Sequence, residues 1–251
     1  MIKMQFALKD GGIVHISEVE SGLKCNCICP MCKGALVAKK GSIKIHHFAH
    51  DNQIECPYGI ETSLHLAAKE IIKNKKTFRV PNVVLPTGVK GKHRVLYQSR
   101  NIEISDVKVE HKLGGIVPDI LLDVNGNELI VEIKVTHGID NIKLEKIKQL
   151  NISTIEIDLS KHKRNFELSK LEELLIDGVQ NKKWIYNKKV EEEKGKLLEN
   201  SREIKMYPLR KVILDCPVIE GEISFKNACY VCPQALYYDE DKHLIFCGYK
   251  I

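Results

Sequence analysis

The segment between residues 118 and 134 constrains the fold more than any other part of the chain. Two apolar runs, Ile120–Val124 and Glu128–Val135, are separated by Asn125-Gly126. That pair favours the left-handed backbone of a two-residue hairpin turn, so the segment predicts two adjacent antiparallel strands. The middle of the second strand is apolar on both faces, which indicates that it is buried within a sheet.

Three charged side chains lie at one end of this predicted hairpin. Side chains alternate along a strand, so Glu132 and Lys134 share one face, and Asp119 lies across the hairpin from them. A solvated face of an amphipathic hairpin is the simpler explanation, but charges at the end of a buried strand need a partner. Two converging carboxylates can hold a hard divalent cation such as Mg2+ or Mn2+, and a nearby ammonium can orient or activate water. The pattern predicts a metal-dependent nuclease site.

A helix is predicted upstream, over Gly59–Lys73, from an apolar stripe at helical spacing. Glu61, His65 and Lys69 are spaced four apart and form a polar stripe beside it. A solvated helix face explains Lys69 and Glu61. His65 borders the apolar side, so we expect it to have a function. Further elements are predicted downstream: a helix over Asp140–Leu150, a strand over Ser153–Leu159 and an amphipathic helix over residues 165–177.

The cysteines are confined to two segments. All nine lie in residues 25–56 or 216–247. The chain shows no signal peptide and no apolar run long enough to span a bilayer, which predicts a cytoplasmic protein without membrane contact. Cysteine clusters in that compartment bind metal more often than they form disulfides. We therefore predict about two structural Zn2+ ions, one for each segment.

The C-terminal cysteines have a spacing suited to zinc. Cys216, Cys229, Cys232 and Cys247 supply four thiolates, with one close pair in Cys-Tyr-Val-Cys. Tetrahedral zinc accepts such a set. Four unrelated free thiols are the alternative, because only one close pair is present.

The N-terminal segment offers more ligands than one zinc ion needs. Cys29 and Cys32 are followed by His47 and His50, which is the spacing of a Cys2His2 site. Cys25 and Cys27 compete for the metal, although they alternate on a predicted strand that leads into the close pair. A hairpin is predicted just upstream, over Phe6–Ile16.

Taken in order, these motifs resemble the PD-(D/E)XK nuclease superfamily and, within it, the competence protein CoiA-like group. The resemblance covers about residues 1–190. It rests on these motifs: Cys29-Pro30-Met31-Cys32, His46-His47-Phe48-Ala49-His50, Cys56, Glu61…His65…Lys69, Pro118-Asp119, Glu132-Ile133-Lys134-Val135-Thr136-His137 and Ile155-Glu156-Ile157-Asp158-Leu159-Ser160. It implies a restriction-endonuclease-like mixed α/β sheet with flanking helices, joined here to N-terminal and C-terminal zinc-binding modules.

The resemblance also implies roles for individual residues. Asp119 and Glu132 would be metal ligands, Lys134 the catalytic lysine and Glu61 an auxiliary ligand. His65 and His137 recur in the CoiA-like pattern, where positioning the carboxylates or a phosphate is the alternative to acting as bases. The pattern also carries a cysteine like Cys56, so the N-terminal zinc set could instead be Cys29, Cys32, one histidine and Cys56.

The distribution of charge indicates a polyanionic substrate. Residues 60–112 contain eleven Lys or Arg against five Asp or Glu, an excess equal to the formal net charge of +6 of the whole chain. Basic residues near an acidic metal site suit nucleic acid, with DNA favoured over RNA. The chain shows no Walker-type or dinucleotide-binding glycine loop, which argues against ATP-driven and redox enzymes.

These observations predict four regions and one activity. The regions are an N-terminal zinc module over 1–58, a nuclease core over 59–178, a charged helical connector over 179–207 and a four-cysteine zinc module over 208–251. The predicted activity is hydrolysis of phosphodiester bonds, in DNA uptake, processing of foreign DNA or defence. The alternative is a nucleic-acid-binding or adaptor protein whose zinc modules dock nucleic acid or a protein partner on an inactive nuclease scaffold.

Overall fold

The computed structural model describes residues 3–52, 56–89, 92–162 and 167–249. The chain divides into two compact units. The first contains Met1–Pro81 and Ser99–Tyr186, and the second contains Asn82–Gln98 and Asn187–Ile251. None of the helices in the described part of the chain has the length and apolar composition needed to cross a lipid bilayer.

The strands and helices follow one another in this order. The strands are β1 (Phe6–Lys9), β2 (Gly12–His15), β3 (Gly22–Ile28), β4 (Ala35–Lys39), β5 (His47–His50), β6 (Thr77–Val80), β7 (Val83–Pro86), β8 (His93–Tyr97), β9 (Arg100–Glu103), β10 (Asp106–Val109), β11 (Ile120–Val124), β12 (Asn127–Lys134), β13 (Ser153–Asp158), β14 (Lys182–Tyr186), β15 (Arg202–Tyr207), β16 (Val212–Ile213), β17 (Ile223–Ser224), β18 (Ala235–Asp239) and β19 (Leu244–Cys247). The α-helices are α1 (Gly59–Lys73), α2 (Asn141–Leu150), α3 (Leu168–Ile176), α4 (Lys188–Glu199) and α5 (Phe225–Ala228), and single 3-10 turns lie at Ile16–Glu18 and Ser160–His162.

The first unit begins with an antiparallel sheet in the order β2-β1-β3-β4-β5. The predicted hairpin is confirmed: β1 pairs with β2, and Asp10 and Gly11 turn between them with positive φ. Cys25 and Cys27 point inward from β3 into the small core of this sheet.

The second sheet of this unit has the order β10-β11-β12-β13-β14. Its central hairpin is the one predicted from the sequence, because β11 and β12 pair antiparallel with Ile120 opposite Val131. Asn125 and Gly126 have φ values of 53° and 79°, the left-handed conformation that such a turn requires. β13 then pairs parallel with β12, so the sheet is mixed.

Helices cover both faces of the second sheet. Apolar side chains of α1 and α3 pack against one face, through residues such as Ile120 and Val131. Ile147 of α2 packs against Leu121 and Ile130 on the other face. The predicted mixed α/β sheet with flanking helices is confirmed at this level, and the closer likeness to a restriction endonuclease stays a prediction. Of the helix predicted over 165–177, residues 165 and 166 lie outside the described residues.

The second unit is built on a sheet in the order β17-β16-β15-β19-β18 and on the ribbon β7–β8. The charged connector predicted over 179–207 is helical only between Lys188 and Glu199, because β14 precedes α4 and β15 begins at Arg202. Ile204 and Met206 are buried on alternate positions of β15, which is a strand period rather than a helical one.

Candidate active site and zinc cluster

Asp119 immediately precedes β11, and both of its carboxylate oxygens have hydrogen-bond or ion-pair partners. Its Oδ2 accepts hydrogen bonds from the backbone N–H of Ile133, at 2.8 Å, and from His65 Nε2, at 2.9 Å. Its Oδ1 lies 3.0 Å from Lys69 Nζ. Burial alone would raise the pKa of this carboxyl, but the hydrogen bond and charge of His65, the Ile133 N–H and the Lys69 charge together lower it to about 2. Asp119 is therefore held as a carboxylate.

Lys69 corrects the sequence interpretation. It was expected on a solvated helix face, yet it is buried, and its Nζ also donates to Glu110 Oε1 at 2.8 Å. The helical stripe therefore holds two side chains, His65 and Lys69, against Asp119. The sequence placed both residues on one stripe, but their shared partner lies about fifty residues further along the chain.

Glu132 is buried beside Asp119 at the end of β12. Burial, followed by the negative charge of Asp119, raises its pKa to about 6, although the ammonium of Lys143 opposes the shift. Lys143 Nζ donates to Oε2 at 2.7 Å and lies 2.7 Å from Oε1, which is buried without a hydrogen bond. The site therefore holds one firmly ionised carboxylate next to one that ionises close to neutral pH.

The structure places two lysines at this end of the sheet, where the sequence predicted one. Lys134 shares a face of the sheet with Glu132 as expected, and its Nζ donates to Asp158 Oδ2 at 3.1 Å. Lys143 comes from the first turn of α2 and pairs with Glu132 instead. Lys143 was not predicted as a site residue, because a lysine in the first turn of a helix belongs to no motif that would distinguish it from a surface lysine.

Glu61, Thr136 and His137 form a second polar group near the first. Thr136 Oγ1 hydrogen-bonds to Glu61 Oε1, and it also lies 3.0 Å from His137 Nδ1. Glu61 comes from the first turn of α1, and the other two follow β12. The structure thus brings the predicted auxiliary carboxylate and both predicted histidines to the same end of the sheet as Asp119.

These groups surround one cavity of about 550 Å3. Its lining includes all six predicted catalytic residues, Lys143 and Glu156. Glu156 belongs to the motif of residues 155–160, and no role was predicted for it. It lies beside Glu132 in the parallel register of β12 and β13 and accepts from Ile139 N at 3.4 Å. The cavity also has Met31 and Tyr58 in its lining, from the neighbourhood of the first zinc motif.

The residues around Glu132 fit a hard divalent cation. Carboxylate oxygens are the donors that Mg2+ and Mn2+ prefer, and Mg2+ is commonly held by one or two carboxylates. Glu132 Oε1 is buried and accepts no well-aligned hydrogen bond, and the Lys143 ammonium lies 2.7 Å from it, a place that a divalent cation could take. Lys143 places a positive charge against the same carboxylate.

The N-terminal ligand set consists of Cys29, Cys32, His50 and Cys56. Their ligand atoms all lie within 4.8 Å of one another, and His50 Nε2 is 3.1 Å from Cys32 Sγ. Zinc bonds of about 2.0–2.3 Å in a tetrahedron place ligand atoms roughly 3–4 Å apart. Three thiols and an imidazole in this arrangement could therefore bind zinc.

The electrostatics of the two close cysteines differ. Burial raises the pKa of Cys29. The backbone N–H of Gly34 is the main cause that lowers the pKa of Cys32, to about 7, with further help from His50 and from the other two cysteines of the set. The thiolate is the form of cysteine that binds metal, and a lowered pKa favours it.

His47 is not part of this cluster. Two histidines separated by two residues can bind one ion from a helix or a turn, but residues 47–50 form a strand, in which His47 and His50 point to opposite faces. The Nδ1 atom of His47 instead lies 2.8 Å from the carbonyl oxygen of Ile45. The alternative set with one histidine and Cys56 is the one that the structure assembles.

The C-terminal cysteines lie together in the small core of the second unit. Burial, followed by the charges of Cys232, Cys216 and Cys247, raises the pKa of Cys229 to about 12. Within the described ranges, however, only the N-terminal set brings three or more ligand atoms within 4.8 Å of one another. A zinc ion at the C-terminal cysteines stays a prediction.

Comparison with known proteins gives one match. Residues 15–59 match the family model described as "Competence protein CoiA, N-terminal domain". The matched segment contains all four residues of the zinc cluster and ends before Glu61. No curated protein and no solved structure matches the chain. The match supports the predicted likeness to the CoiA-like group, and the likeness to PD-(D/E)XK nucleases stays a prediction.

Proposed function

We propose that this protein is a divalent-metal-dependent nuclease of the PD-(D/E)XK type. One observation carries the proposal: Asp119 and Glu132 lie side by side at the end of a buried hairpin, in a cavity that also receives two lysines. Neighbouring carboxylates repel each other, and here that repulsion helps to raise the pKa of Glu132. A site that maintains this repulsion inside a cavity is typical of cation binding.

Asp119 and Glu132 would hold the cation, with Glu61 and Glu156 nearby for a second ligand or a water-mediated contact. A bound Mg2+ or Mn2+ ion would polarise the scissile phosphate and make its bound water a better nucleophile. His65 and Lys69 hold Asp119 in place and keep it ionised. Lys143 Nζ would pair with the Glu132 carboxylate until a divalent cation displaces it.

The two lysines would contact the substrate from different sides of Glu132. Lys134 pairs with Asp158, and its side chain is about 30% exposed, so its ammonium can reach a phosphate or a water molecule. Lys143 has a single carboxylate partner in Glu132, and displacement from it would leave the ammonium facing the same cavity. Both positive charges suit the extra negative charge of a phosphodiester transition state.

Nucleic acid is the proposed substrate. The basic excess in residues 60–112 and the lysines of the cavity support a polyanion. The similarity of residues 15–59 to the N-terminal domain of competence protein CoiA suggests a competence-related protein, which favours DNA. Processing of incoming DNA is the proposed role.

The test compares cleavage by three identically purified proteins: wild type, Glu132→Ala and Glu128→Ala. Glu128 lies on the same strand but is exposed outside the cavity, so its variant is the matched control. We expect Glu132→Ala to lose Mg2+-dependent or Mn2+-dependent cleavage of DNA, and Glu128→Ala to retain it. Equal cleavage by wild type and Glu132→Ala would reveal a contaminating nuclease and would leave the nucleic-acid-binding alternative in its place.

We also propose a second zinc ion at Cys216, Cys229, Cys232 and Cys247. The supporting observation is that all four cysteines meet in one small core whose strands are short. Such a core gains stability from a metal. Zinc content per chain, measured by elemental analysis, tests this site.

A further inference from the structure

The wall of the cavity that comes from the zinc module carries exposed apolar side chains. Met31 is 50% exposed and Tyr58 is 61% exposed, and both line the same cavity as Asp119 and Glu132. Met31 lies between the zinc-cluster residues Cys29 and Cys32. Ligand pockets are commonly lined by apolar and aromatic side chains together with a few polar groups, and these two side chains meet that description.

The rest of the lining is strongly polar. It contains five carboxylates and the ammonium groups of Lys134 and Lys143. A ligand that contacts both kinds of lining residue needs an anionic part for the lysines and a flat, weakly polar part for the aromatic ring. A nucleotide unit combines a phosphodiester with a base in this way. An apolar peptide would offer no anionic group to the lysines.

The exposed ring of Tyr58 favours an unpaired base over a paired one. A volume of about 550 Å3 is that of a small-ligand site, since such sites span about 300–1,000 Å3. It can accept a nucleotide unit. A base exposes its face to an aromatic side chain only when it is unstacked, as in a single strand or at a strand end.

We infer that Tyr58, assisted by Met31, is a stacking platform for an unpaired base next to the scissile phosphate, so that the protein prefers single-stranded nucleic acid or strand ends. The inference rests on the proposed function and specifies its substrate. The zinc cluster then has a second role, because its cysteine ligands hold the backbone next to both Tyr58 and Met31. Tyr58 lies two residues after Cys56, and Met31 lies next to Cys32.

The test measures binding rather than cleavage. Zinc-loaded full-length protein in a buffer without Mg2+ and without chelator is titrated into a fluorescently labelled single strand, and in parallel into the same sequence as a duplex. Stacking on an aromatic ring contributes enough that Tyr58→Ala should weaken single-strand binding at least about fivefold. Duplex binding should change less.

Three further variants isolate the stacking contribution. Tyr58→Phe keeps the ring and should bind as wild type, whereas Tyr58→Leu keeps apolar bulk without a ring and should behave as Tyr58→Ala. Leu23→Ala removes an exposed apolar side chain of the same zinc-module sheet outside the cavity, and should bind normally. Zinc content and circular dichroism establish that each variant is folded.

The inference is overturned if Tyr58→Ala binds the single strand as tightly as wild type, or if it loses affinity for both strand forms by the same factor. These outcomes are separate from the cleavage test with Glu132→Ala. Loss of cleavage in Glu132→Ala together with normal binding by Tyr58→Ala would leave a nuclease without this platform. The reverse pair of results would leave a single-strand-binding protein without the nuclease activity.

Discussion

Asp119→Asn and Glu132→Gln remove one negative charge each from neighbouring positions, yet we expect them to change stability in opposite directions. The pKa of Asp119 is lowered from 3.8 to about 2 in the folded protein, so its ionisation stabilises the fold above pH 3.8. The pKa of Glu132 is raised from 4.5 to about 6, so its ionisation destabilises the fold above pH 6. Both variants should be inactive as nucleases.

The magnitude follows from the two pKa shifts. Each pKa unit corresponds to about 1.4 kcal/mol between the two protonation states. At pH 7.5, without divalent cations, Asp119→Asn should therefore lower the free energy of unfolding by about 2 kcal/mol. Glu132→Gln should raise it by up to about 2 kcal/mol. Lys143 loses its partner in the second variant, but its side chain is about 24% exposed and can turn towards water.

The pH dependence gives a further check of the sign. The unfolded chain ionises Glu132 at about pH 4.5 and the folded protein at about pH 6, so the wild type loses this stability as pH rises through that window. The advantage of Glu132→Gln should therefore be largest above pH 6 and should disappear below pH 4.5. The deficit of Asp119→Asn should persist down to about pH 4.

Thermal unfolding followed by circular dichroism measures the difference. About 2 kcal/mol corresponds to roughly 4–8 °C in Tm for a protein of this size. Glu128→Gln, on the exposed part of the same strand, should unfold as wild type. A lower Tm for Glu132→Gln than for wild type at pH 7.5 would contradict this prediction, because it would show that the Lys143 pair outweighs burial and repulsion. Added Mg2+ should raise the Tm of the wild type more than that of Glu132→Gln.

Three further predictions concern the same sites. Lys134→Ala and Lys143→Ala should each lower the cleavage rate about 100-fold or more. Isothermal titration should show that Lys134→Ala binds Mg2+ as wild type does, whereas Lys143→Ala binds it more tightly because Glu132 no longer has an ammonium partner. Wild type should carry about two zinc ions per chain by elemental analysis, with one lost in Cys32→Ser and the other in Cys229→Ser; loss of both ions in either variant would contradict two independent sites. In the acid range, binding of Mg2+ should weaken as pH falls below about 6, because Glu132 becomes protonated, and a midpoint near 4.5 would contradict the raised pKa.

The sequence predicted the parts of this site that depend on local patterns. Asn125-Gly126 specified the hairpin, because few pairs other than Asn-Gly accept left-handed backbone at both positions. The alternation of a strand placed Glu132 and Lys134 on one face. The apolar stripe of α1 gave both ends of that helix at Gly59 and Lys73.

The site residues that were mispredicted or missed depend on contacts between distant segments of the chain. Lys69 looks like a surface lysine because its two carboxylate partners lie more than forty residues away. The ligand His50 was predicted together with His47, and the choice between them depends on whether residues 47–50 form a strand or a helix. Lys143 and Tyr58 carry no pattern at all, since only the tertiary structure brings them to the cavity.

Gly59, the first residue of α1, lies against the zinc cluster. A Cβ at this position would come within 2.8 Å of Met4 Cε and 3.2 Å of Cys29 Sγ, and its N–H is hydrogen-bonded to the carbonyl oxygen of Cys56. The helix that carries Glu61 therefore starts three residues after Cys56 of the Cys3His cluster. If zinc binds there as proposed, a chelator such as EDTA would remove it together with Mg2+ and would act on the start of this helix as well as on the cavity. Inhibition by EDTA would then be uninformative about the catalytic cation, and the cation requirement is better established by omitting Mg2+ and restoring it while zinc stays bound.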